Sequence, residues 1–186
     1  MQEGAHTLRS LTLFVSSHFM FNVLGKLQSE ILSGAKREAV STLSQYSKLV
    51  RQACNIALKD RISMAEEGLF LEHYLKMEKE RFAESPFEYS ITGFDSETDF
   101  IEPFILQPFV ELALLGSLGT GNNHLKIEFD KINQSIRILS AMLNTEIHEK
   151  LSEKCDIAKQ RLEFFNHSYL FSETNSHYLQ TILLNH

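Results

Sequence analysis

The break Ser33-Gly34-Ala35 separates two long amphipathic runs, and it dictates a helical hairpin. From Leu8 to about Leu32, apolar residues recur at roughly helical spacing on a broad face. They are Leu11, Phe14 or Val15, Phe21 or Asn22, Leu24 or Gly25, Leu27 or Gln28, and Ile31. Gly34 supplies the left-handed residue that ends such a helix. From Lys36 to about Leu58, a second stripe runs through Val40, Leu43, Tyr46 or Ser47, Val50, Ala53 or Cys54, and Ala57, close to a heptad seam. The short connection makes the pair antiparallel. One hairpin cannot cover its own apolar faces, whereas two can, as a four-helix bundle across a dimer axis. The expectation is a dimerisation hairpin over 5–62 and a homodimer.

The remainder, 63–186, reads as a second domain. Ser63-Met64-Ala65-Glu66 is a capping box that opens a helix running to about Arg81-Phe82. On it, Glu72 and Glu78 to Arg81 read as a solvated face with i,i+3 pairing. Ser85-Pro86 breaks the helix. Phe87 to Ile91 alternates as a strand does, Phe94 to Asp99 is an acidic loop, and Pro103 to about Leu118 is predicted helical. Gly116 to Asn123 is a turn. Two alternating runs, from His124 and from Ser135, make a hairpin around Lys131 to Gln134. Glu146 to about Asn166 is predicted helical, with Ile147, Leu151, Cys155, Ala158, Leu162 and Phe165 on one face. Tyr169 to Phe171 and Tyr178 to Leu184 close the chain as strands. The fold class is α+β: a helical hairpin, then an α/β sandwich with helices on one face of a mixed sheet.

Composition excludes some functions. Among 186 residues, 43% are hydrophobic, enough for a real core. The net charge of −6 argues against a nucleic-acid surface, which needs clustered Lys and Arg. Cys54 and Cys155 form no Cys-x-x-Cys pair, so a reducing compartment and no structural metal are expected. The N-terminus lacks a basic leader, and no run offers the ~18 apolar residues of a membrane span. A cytoplasmic chain, or the cytoplasmic part of an anchored protein, is expected, with no membrane contact of its own. His6, His73, His124, His148, His167, His177 and His186 show no zinc-ligand spacing and read as surface or satisfied histidines. Gly119-Thr120-Gly121 lacks the Lys-Ser/Thr of a phosphate-binding loop.

The candidate for chemistry is His18, within Ser17-His18-Phe19-Met20-Phe21-Asn22 of the first helix. A neutral imidazole is a nucleophile near pH 7 and can carry a phosphoryl group. Asn22, four residues on, shares its face and can orient the ring or a phosphoryl oxygen. Spacing alone favours a histidine at the edge of a core.

Two blocks change that weighting. His18-Phe19-Met20-Phe21-Asn22 and, downstream, Leu106-Gln107-Pro108-Phe109-Val110-Glu111 together resemble the core of LytS-type sensor histidine kinases. Glu72-His73-Tyr74-Leu75 and Glu80-Arg81-Phe82 resemble that family's segment joining hairpin to ATPase domain. The resemblance implies that His18 is the phosphoacceptor and that 63–186 derives from the kinase ATPase fold. It also locates departures. Ser16-Ser17 stands where the family has Asn-Pro. After Glu111 the family has a magnesium-binding asparagine; here it is Leu112, which offers no oxygen to a hard cation. The Asp-x-Gly-x-Gly turn is replaced by Ser140 to Glu146, and the Gly-x-Gly-Leu turn by Glu153-Lys154-Cys155-Asp156, with only Arg161-Leu162 echoing its end. No glycine follows Gly121. The expectation is a degenerate ATPase domain without nucleotide or other cofactor. Two functions fit. One is phosphorelay transfer, with His18 exchanging phosphoryl with response-regulator aspartates. The other is a non-catalytic pseudokinase module that binds an active histidine kinase.

Overall fold

The computed structural model describes residues 17–118, 124–141, 156, 158–174 and 177–185, with the side chains of Ser17 and His18 outside that description. Helix α1 is described over Ser17–Leu32, and α2 spans Lys36–Ala57. Gly34, at φ 80°, turns the chain between them, as expected of the helix-ending glycine. The hairpin buries Phe19, Val23 and Leu27 from α1 and Leu49, Ala53 and Ile56 from α2. Those residues recur at four-residue or three-to-four-residue intervals, so each helix turns one stripe inward. Phe21, Leu24 and Ile31 of α1, and Val40 and Leu43 of α2, lie exposed instead.

After the hairpin, β1 (Ile62–Ser63) pairs antiparallel with β3 (Phe100–Ile101). Helix α3 (Met64–Arg81) starts at the capping box: Ser63 Oγ accepts from the Glu66 N–H, and the Glu66 carboxylate accepts from the Ser63 N–H. The 96–99 loop closes the remaining helix-end donors, since Met64 N–H donates to Asp99 O and Ala65 N–H to Ser96 O. Strand β2 (Glu88–Thr92) leaves through Gly93, at φ 80°. A Cβ there would stand 2.1 Å from the Phe129 carbonyl oxygen, so only glycine fits.

The main sheet contains β2, β4 (His124–Asp130), β5 (Ser135–Ala141), β6 (Ser168–Glu173) and β7 (His177–Leu183) in the order β2-β4-β5-β7-β6. The β2–β4 pair is parallel and the others antiparallel, giving the expected mixed sheet. Leu125, Ile127, Ile136, Ile138, Tyr178 and Ile182 line its buried face. That face is covered by α4 (Gln107–Ser117) and α5, described over 158–164. Gln180 ties the layers together: its Nε2 donates 2.9 Å to Phe109 O, and its Oε1 accepts from Tyr169 at 3.2 Å. One continuous apolar cluster runs from Phe19 and Val23 of the hairpin to Leu184.

Two expectations need correction. The helix expected from Pro103 begins only at Gln107. Pro108 has no N–H to give to a carbonyl four residues back, so it belongs in a first turn. The preceding segment instead folds as a fully buried loop with Phe104 at φ 58°. The strain of that left-handed residue is offset by burial of its ring edge-on to Phe70, 5.2 Å away. Second, Glu78 to Arg81 is not a solvated face. Glu78 is buried and ion-paired with Arg81, and Glu80 reaches across to Lys26 of α1 (3.4 Å) and Gln45 of α2 (2.9 Å). The expected Gly116–Asn123 turn and the start of the Glu146 helix lie largely outside the described residues.

Candidate functional site

The candidate residues lie on one helix. Position 18 is the second described residue of α1, and Asn22, half-buried, follows one turn later on the same face. Farther along, that face carries Gly25, where a Cβ would meet nothing within 4 Å. Phe19, about 100° further round the helix, turns into the core. Its ring is buried against Tyr74 of α3, centroids 5.4 Å apart, and faces Tyr46 of α2 at 6.4 Å.

Helix α3 is the joint between hairpin and sheet. Tyr74 is fully buried, with the Gln107 side chain of α4 near its hydroxyl. Burial, then the nearby carboxylates of Glu78 and Glu111, push that phenol well above its usual range. Gln107 Nε2 in turn donates to Glu111 Oε2 at 3.4 Å. The motif residues Gln107 and Glu111 are thus engaged inside the core, and Leu112 is packed there at 2% exposure.

A second buried polar group surrounds the 103–106 loop. Glu102 Oε2 accepts from His167 Nε2 at 2.8 Å, and the Asn185 N–H donates to His167 Nδ1, which sets the imidazole tautomer. Burial alone would raise the Glu102 carboxyl, but the His167 hydrogen bond and the Arg61 charge hold it below its usual value. Arg161 gives Nη2–H to Pro103 O at 3.0 Å and so braces the loop. Glu67 of α3 is completely buried, and neither carboxyl oxygen has a hydrogen bond of full geometry. Burial pushes its pKa up to about 8, while the Leu106 and Phe104 N–H groups and Arg161 pull it back. The reading of the sequence missed Tyr74, Glu67 and Glu78. The sequence of α3 carried no signal for them: the burial on most of its circumference comes from its place between hairpin and sheet.

On the hairpin's outer side, Leu24, Ile31, Leu32, Val40 and Leu43 line an apolar groove of about 680 Å³ between α1 and α2. Among the described residues, no helix is long and apolar enough to cross a membrane, and no three His, Cys, Asp or Glu side chains are grouped to hold a metal ion. Among the other histidines, His73 meets Gln52 across the α2–α3 contact at 2.6 Å.

Residues 6–86 match the family model described as histidine kinase. The matched part spans the hairpin and α3, and relates the chain to the histidine kinases of two-component signalling. No curated protein matches the sequence. Two solved structures share the fold over nearly the whole chain. A bacterial phosphotransferase superposes with a TM-score of 0.61 at 13% identity, covering 97% of this chain and 95% of its own. The Acinetobacter baumannii histidine kinase AdeS superposes with a TM-score of 0.50 at 14% identity, covering 90% of this chain and 97% of its own. At these identities the likeness is one of fold.

Proposed function

We propose that this chain is a phosphorelay protein, unable to use ATP, in which His18 takes a phosphoryl group from one response-regulator aspartate and returns it to another. The observation that carries this reading is a histidine at position 18 of a helical hairpin that matches the histidine kinase model, joined to a domain with Leu112 where the kinases have a magnesium-binding asparagine. The imidazole nitrogen attacks the phosphorus of an aspartyl phosphate. The P–O bond breaks as the N–P bond forms, and the receiver's carboxylate leaves. Asn22 orients the imidazole or a phosphoryl oxygen, and Mg²⁺ is held by the receiver. Return to a second receiver is the reverse step. The domain 63–186 is read as a degenerate ATPase domain that helps dock the receiver. The test is incubation with phosphorylated receivers: label on the protein supports the reading, and no label from any receiver encoded nearby overturns it. Titration with a fluorescent ATP analogue and Mg²⁺ is expected to show no saturable binding. Saturable micromolar binding would end the claim of ATP incompetence.

The hairpin is read as the dimer interface, with 5–62 as the dimerising unit. The apolar groove supports this, because five large side chains in one seam are poorly placed in water. Leu43→Asp is expected to weaken dimerisation by roughly a hundredfold or more, since stranding a carboxylate in a desolvated seam costs ~3 kcal/mol. Sedimentation velocity over a concentration series reads this directly. A wild-type monomer at high concentration would remove the proposal.

A second reading is a pseudokinase module that binds an active histidine kinase through the same groove, with no chemistry at His18. Ser16-Ser17, in place of the family's Asn-Pro, favours it. Unchanged signalling output in cells carrying His18→Ala would select it.

A further inference from the structure

We propose that Tyr74 is a positioning residue for His18, acting through Phe19 on the turn of α1 that carries the histidine. The proposal rests on the phosphoacceptor reading of His18 and names what holds that turn in place. Successive side chains on a helix diverge by ~100°, so fixing the direction of one fixes the rotation of the helix at its neighbour. Phe19 is that neighbour, and its ring is clamped.

The two aromatic contacts of Phe19 differ in what they can transmit. Tyr46 is half-buried on α2, inside the hairpin itself. Tyr74 is fully buried on α3 and is the nearer ring. Its hydroxyl end lies beyond the hairpin, beside Gln107 at the start of α4 and near Glu78, Arg81 and Glu111. Gln107 is itself completely buried, with its Nε2 donating to Glu111, so the phenol packs against fixed groups. A path of packed groups therefore runs from α4 through Tyr74 and Phe19 to residue 18. Other ties between α3 and the hairpin, Lys26–Glu80, Gln45–Glu80 and His73–Gln52, lie away from the turn of α1 that carries residues 18 and 19. An aliphatic side chain at 74 would fill space without the ring contact to Phe19.

The test uses the full chain with Tyr74→Leu and Tyr74→Phe, and Phe19→Leu as a second route should Tyr74→Leu not fold. The His18 imidazole signal is assigned in histidine-labelled protein by its loss in His18→Ala. Phosphoramidate serves as phosphoryl donor: the imidazole nitrogen attacks phosphorus, the P–N bond breaks, and ammonia leaves. All measurements are made well below each variant's Tm. Tyr74→Leu and Phe19→Leu are expected to move the His18 signal and slow its phosphorylation about tenfold or more, with the exposed His124 and His177 unchanged as internal references. Tyr74→Phe, which keeps the ring, is expected to stay within about threefold of wild type. A folded Tyr74→Leu or Phe19→Leu protein with an unmoved His18 signal and an unchanged rate overturns the proposal. Transfer from a phosphorylated receiver that survives His18→Ala refutes the phosphoacceptor reading alone, and the imidazole signal still decides the positioning claim.

Discussion

His18→Ala is expected to abolish label transfer from a phosphorylated receiver while leaving the fold intact. Alanine offers no nucleophile, so the loss should reach the detection limit, about a hundredfold or more. Alanine is also the best helix former, so the change costs α1 nothing in propensity. Far-ultraviolet circular dichroism and the thermal midpoint should therefore match wild type. Asn22→Ala, one turn on, is expected to slow transfer by roughly tenfold, because an orienting group affects the rate without supplying the reacting atom. The label on wild type should be acid-labile and base-stable, as phosphoramidate bonds are, which separates it from aspartyl phosphate. A variant lacking His18 that still takes up label at the wild-type rate would place the chemistry elsewhere.

Glu67→Gln is expected to stabilise the protein at alkaline pH and to flatten its pH dependence. The folded carboxyl has a pKa near 8, against 4.5 in an unconstrained chain. Below about 4.5 both states are protonated and the group adds no slope. Between 4.5 and 8 the unfolded chain has released its proton and the folded chain retains it, so stability falls as pH rises. Above 8 the loss is complete. The shift corresponds to a change on the order of 3–5 kcal/mol across that window, with Arg161 moderating the ionised form. Glutamine stays neutral throughout and preserves the shape. Urea unfolding at pH 5.5 and pH 8.5 measures it: wild type should lose stability between the two relative to the variant. Parallel pH profiles would show that Glu67 is ionised in the folded protein.

The elements visible in the sequence were those with a repeating signature or a punctuating residue. Gly34 marked the end of α1, Ser63 and Glu66 marked the start of α3, and alternation marked β4 and β5. The β1–β3 pair was not visible, because two residues per strand carry no period. The late start of α4 was written in Pro108, but the apolar run from Pro103 outweighed it. Buried acids were the harder case. Glu67 and Glu78 sit at helical positions where a charge ordinarily faces water, and only the three-dimensional arrangement of α3 between the hairpin and α4 encloses them. His18 and Asn22 were legible as a motif. Tyr74 was not, since its meaning comes from meeting Phe19 and Gln107, each remote in sequence.

The Ile62–Ser63 pairing with Phe100–Ile101 has a practical side. A cut between the hairpin and the rest at residue 62 or 63 passes through a strand. It also removes the serine whose hydroxyl starts α3, and leaves backbone groups of Phe100 and Ile101 without partners. Fragments of this protein made for interaction studies should therefore keep Arg61 to Ser63 with the C-terminal piece. A hairpin fragment ending at Leu58 severs none of these bonds.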